Sequence, residues 1–100
     1  MILITQLIYV QPGQEAVFEE FESMAMPLIP KYNGKLLLRI RPPEAAYIES
    51  AIEPPYEIHL VEFSSENDLV NFMNDETRKA FLHLKEQSVR TSLLIKGAKW

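Results

Sequence analysis

At 100 residues, 47% hydrophobic and 24% charged, the chain has the length and composition of one globular domain, residues 1–100, with its own core. It contains no cysteine, which excludes disulfides, thiolate metal sites and thiol catalysis and fits a reducing, cytoplasmic setting. A net charge of −4 with no basic stripe speaks against nucleic acid, and the apolar N-terminus breaks at Gln11-Pro12-Gly13, too soon to span a bilayer.

The first predicted element is a strand over residues 2–10, nearly all apolar and therefore expected to be covered on both faces. Pro12-Gly13 turns the chain into a helix from about Gln14 to about Leu28. Its apolar stripe is Val17, Phe21, Met24 and Leu28, with Glu15, Glu19 and Glu22 on the outer face. Pro27 and Pro30 end that helix, and Tyr32-Asn33-Gly34 reads as a turn in which Gly34 takes a positive φ. A second strand, residues 35–41, stops at Pro42-Pro43. The stretch from Pro42 to Pro55 reads as an irregular loop or a hairpin extension. A third strand covers residues 56–63. Ser64 and Ser65 then supply capping chemistry for helical pieces over residues 69–89, which break at Asn74-Asp75. Residues 92–96 form a last strand, and Gly97 turns the Lys99-Trp100 tail away. The order strand–helix–strand–strand–helix–strand is the ferredoxin-like split βαβ plan: an α+β domain with a four-stranded antiparallel sheet and its helices on one face. The other face still carries apolar side chains, so a second copy is expected to cover it.

The candidate chemistry depends on which residues share a face. If Leu36, Leu38 and Ile40 meet the helices, Arg39 and Arg41 lie opposite with Leu37; if Ile58 and Leu60 meet them, Glu57, His59 and Val61 join that set. The catalytic candidates are His59, as proton acceptor, and Arg39, as anion stabiliser. Arg41, Glu57, Tyr9, Tyr47 and Tyr56 are the ligand-binding candidates. The competing reading makes Arg39 and Glu57 a cross-strand ion pair with His59 hydrogen-bonded between them at a dimer interface. No metal is expected. Glu57 and His59 supply two ligands on one strand face, zinc needs at least one more, and only two histidines exist. There is no HExxH, phosphate-binding glycine loop or nucleophile elbow.

The phrases YVQPGQEAVFEEFE, KYNGKLLLRIRP, YEIHLVEFSSENDLVNFMNDETRKAF and LLIKG resemble the dimeric α/β-barrel superfamily. They are most similar to its members of unknown function, which are related to the antibiotic-biosynthesis-type monooxygenases. The resemblance implies a homodimer whose two sheets pack face to face around a barrel interior. It also implies a small organic ligand in the barrel and, as the specific activity, monooxygenation without a cofactor. The alternative is a non-catalytic ligand-binding or structural homodimer. A cavity of several hundred Å³ lined by Arg39, His59 and a tyrosine would favour the enzyme, and a filled interior the alternative. Haem degradation is disfavoured: Phe72 and Gln6 stand where that branch has a tryptophan and an asparagine, and His83 is out of register with its iron ligand.

Overall fold

The computed structural model describes residues 1–98, so Lys99 and Trp100 lie outside the described residues. Four strands, β1 (Ile2–Val10), β2 (Gly34–Ile40), β3 (Glu57–Phe63) and β4 (Val89–Gly97), form one antiparallel sheet in the order β2-β3-β1-β4. The helices α1 (Glu15–Ala25), α2 (Glu66–Met73), α3 (Glu76–Ala80) and α4 (Leu82–Ser88) complete the ferredoxin-like α+β plan. The sheet is open; it does not close into a barrel within one chain. No helix among the described residues is long and apolar enough to cross a membrane.

Local chemistry accounts for the boundaries. Pro27 and Pro30 convert the end of the first helix into a 3₁₀ segment, Met26–Tyr32, because neither ring nitrogen can donate. The following turn takes its left-handed residue at Asn33 (φ 58°), not at Gly34 as the sequence suggested. Gly34 is required for space instead: a Cβ there would stand 2.7 Å from both Ile29 Cγ2 and Phe63 Cε1. Ser65 accepts from the Asp68 amide at 3.1 Å to start α2. Asp75 accepts from the Arg78 amide at 2.9 Å and re-caps the chain as α3. The Pro42–Pro55 stretch is a loop with one 3₁₀ turn, Glu44–Ala46. It is tied down where the Tyr9 hydroxyl donates to the Glu53 carbonyl at 2.8 Å, while Ile48 is 99% exposed.

Strand register determines what lies beneath the helices. Residues 2, 4, 6 and 8 of β1 pair with Phe63, Val61, His59 and Glu57 of β3, and this set includes the buried Ile4, Ile8, Phe63, His59 and Glu57. Ile29, Leu69 and Phe18 close over them from the helical layer. The helix-facing side of β3 is therefore Glu57, His59, Val61 and Phe63, opposite to the side expected from Ile58 and Leu60. In β2 the register shifts between Leu36 and Leu38, so Leu36 pairs with Val61 and Arg39 with His59. This bulge at Leu37 turns Arg39 to the helix side and leaves Leu38 and Ile40 on the open face. In α1 the buried residues are Phe18, Phe21, Glu22 and Ala25. The stripe is thus one residue out from the Val17 pattern at its start, and Glu22 is inside, not on the outer face.

Candidate functional site: the cavity between helices and sheet

A cavity of about 180 Å³ lies between the sheet and the helices. Ile4, Ile8, Val61 and Phe63 form its floor, and Phe21 and Leu69 close it from above. Glu22, His59, Arg78 and Lys85 face it, with Gln6 and Ser92 as further polar groups. Its lining residues Met73 and Leu94 are 44% and 45% exposed, so it opens to solvent between α2 and β4. An apolar chamber with a few convergent polar groups is the usual form of a small-molecule site.

His59 reaches the cavity already oriented. Its Nε2 bonds Glu57, two residues earlier on the same strand face. Glu57 is buried and also accepts from Arg39 Nε at 2.9 Å and Arg41 Nε at 2.7 Å. Burial alone would raise the Glu57 pKa, but the hydrogen bonds from His59, Arg39 and Arg41 outweigh it and hold the pKa at about 2. A carboxylate can only accept, so Nε2 carries the proton and Nδ1 is the ring nitrogen left as an acceptor. Across from it, burial raises the pKa of Glu22, partly offset by attraction to His59.

The remaining sequence candidates stand elsewhere. Arg39, Arg41 and Glu57 line a shallow surface recess with Glu19. Arg39 Nη2 donates to both Glu19 oxygens at 3.2 Å, and Arg41 also pairs with Glu19. Arg39 therefore reaches His59 only through Glu57. Tyr9 is held by Glu53, with the Arg90 guanidinium 5.5 Å from its ring centroid. Tyr56 packs edge-on against Phe18 and lies beneath Arg41. The Tyr47 hydroxyl is buried without a partner among the described residues. None of the three tyrosines lines the cavity. His83 is exposed on α4, stacked against Phe81. The cavity is smaller than the several hundred Å³ expected of an enzyme and lies on the helix side of the sheet, not on the face expected to line a barrel interior.

Sequence reasoning missed Glu22, Arg78 and Lys85. Glu22 brings a third buried ligand atom within 4.8 Å of those of Glu57 and His59, a count that a metal site would need. The chemistry of the group fits a proton site better, because both Glu57 oxygens are occupied by arginines that a cation would have to displace.

Comparison with solved structures sets this arrangement among known folds. The chain superposes on the Rhodopseudomonas palustris protein RPA0582, of unknown function, with a TM-score of 0.83 at 15% identity, covering 99% of this chain and 80% of that one. A dimeric ferredoxin-like protein of unknown function from Jannaschia sp. CCS1 gives 0.72 at 14% identity, covering 98% of each chain. A candidate antibiotic biosynthesis monooxygenase from Nitrosomonas europaea gives 0.70 at 10% identity, covering 99% of this chain and 98% of that one. No family model matches the chain, and no curated protein matches it by sequence. The chain has the ferredoxin-like protomer fold of these proteins, and the resemblance read from its sequence holds for the fold.

Proposed function

We propose that this chain is a small-molecule enzyme that binds a weakly acidic, single-ring organic substrate between helices and sheet, where His59 takes its proton. The observation that carries this reading is His59 at the cavity wall, held by a buried, ionised Glu57. A phenolic or activated C–H proton passes to Nδ1, and the imidazolium that forms is stabilised by Glu57 through Nε2. Arg39 and Arg41 are positioning residues that keep Glu57 charged and in place. A cavity of about 150 Å³ accommodates benzene, so one ring with a small substituent suits this one.

Monooxygenation without a cofactor is the specific form we favour, supported by the Nitrosomonas europaea neighbour. In that chemistry an activated CH₂ becomes a carbonyl, O₂ supplies its oxygen, and the other oxygen leaves as water. The substrate provides all the electrons once deprotonated. We further propose that the protein works as a homodimer, as its ferredoxin-like neighbours are described, joined through the open sheet face. The competing reading, a non-catalytic dimer, draws on the completeness of the Glu57 network, which alone would justify those residues as structure.

para-Nitrophenol separates the two, because its ionised form absorbs differently from the neutral one. The wild type is expected to bind it and shift its ionisation toward phenolate. His59→Gln keeps a donor for Glu57 and is expected to bind with a much smaller shift. A shift undiminished in folded His59→Gln, or no binding to the wild type, would overturn the proposal.

A further inference from the structure

The cavity wall contributed by α3 and α4 carries two cations that the proton chemistry does not use. Arg78 is only 9% exposed, and its guanidinium lies 5.3 Å from the Phe72 ring centroid and 5.9 Å from that of Phe21. Nη1 donates to the Met73 carbonyl at 3.2 Å, but Nε is buried without a partner among the described residues. A buried donor left unsatisfied is costly, and more so when charged. Lys85 lines the same chamber, half-buried. No carboxylate lies within ion-pair range of either cation among the described residues. Burial, reinforced by Arg78, pushes the Lys85 pKa down despite attraction to Glu22 and Glu86.

The nearby acids supply only part of the counter-charge. Asp75 is committed to Tyr32, to Lys31 Nζ at 3.2 Å and to the Arg78 amide. Glu57 is held by its two arginines and His59, which leaves Glu22 as the one acid that attracts both cations, its own charge opposed by burial. Gln6 and Ser92 are neutral. The chamber thus presents more positive than negative charge to a guest, on a wall whose aromatic faces hold the guanidinium in place.

We propose that Arg78 and Lys85 form an anion-anchoring subsite and that the guest is a single-ring carboxylic acid. Its carboxylate pairs with the Arg78 guanidinium and Lys85 Nζ while its ring rests on Ile4, Ile8 and Phe63. This deepens the function proposed above and rests on its placement of the ligand in this cavity.

Benzoate and benzamide are probes of nearly equal size that differ in charge, and calorimetric titration of each gives the preference directly. The wild type is expected to bind benzoate on the order of tenfold more tightly than benzamide. Arg78→Gln should abolish that preference and Lys85→Gln reduce it several-fold. Arg78→Lys should retain part of it. Equal affinity of the wild type for the two probes, or a preference that survives both neutral variants, would overturn the subsite while benzamide binding keeps the cavity reading alive. Binding of neither probe would overturn the cavity reading and the subsite with it. If Arg78→Gln does not fold, the half-buried Lys85 decides: an undiminished preference in Lys85→Gln overturns the subsite.

Discussion

Glu57 and Glu22 are both buried acids near His59, and their environments push them in opposite directions. The pKa of Glu57 is held at about 2, below its ordinary 4.5, so its contribution to stability is present above pH 4.5 and lost as pH falls from there toward 2. Acid unfolding should follow that window. In Glu57→Gln the stability difference between pH 5 and pH 3 should shrink by at most about 2 kcal/mol in urea titrations, since each tenfold change in proton affinity corresponds to ~1.4 kcal/mol. Glu22 is raised, so its ionisation opposes folding as pH climbs above 4.5. Glu22→Gln should therefore raise the melting temperature at neutral pH and leave it unchanged under acid conditions; a lowered value at neutral pH would contradict this. The pairing of Arg39, Glu57 and His59 was legible because residues two apart on a strand share a face. Glu22 was not, because an acid in an amphipathic helix is ordinarily placed in water, and this one is drawn inward beside His59 and Arg78. Arg78 and Lys85 were equally silent, since nothing in their spacing marks a cation drawn to a cavity wall.

At the scale of elements, punctuation was easy to read and faces were not. Ser65 and Asp75 start their helices as their side chains suggest, because a cap is a local hydrogen bond. The bulge at Leu37 has no such local mark: Leu36, Leu37 and Leu38 are identical, so three equal side chains conceal the register shift that sends Arg39 beneath the helices. Gly34 illustrates a related limit. Its turn was visible, but its contact with Phe63 joins segments far apart in sequence. Gly34→Ala should cost about 1–3 kcal/mol in chemical denaturation, the usual penalty for overfilling a packed core. A neutral result would mean that β2 can draw back from the 3₁₀ segment.

At the scale of the molecule, the Cα envelope measures 36 × 36 × 16 Å, a slab with helices on one side. Leu38, Ile40, Leu93 and Ile95 on the other side are 38–55% exposed, an apolar surface suited to a second copy. Both faces of the sheet are apolar, which is why alternation alone assigned β3 to the wrong side. Val61 was expected at the dimer interface, yet it packs against the core. Val61→Asp should therefore unfold the protein, whereas Leu38→Asp with Ile95→Asp should give folded monomers in light scattering. Unaltered dimers in that double variant would remove the open face from the interface.

The central claim is that the working chamber lies between helices and sheet. Methyl NMR of the wild type titrated with para-nitrophenol tests it most directly, because isoleucine, leucine and methionine methyl groups report on the two faces separately. The expected result is shifts, with contacts to the probe, at Ile4, Ile8, Leu69 and Met73 and none at Leu38, Ile40, Leu93 or Ile95. Shifts confined to the second group would place the ligand between subunits and contradict the claim.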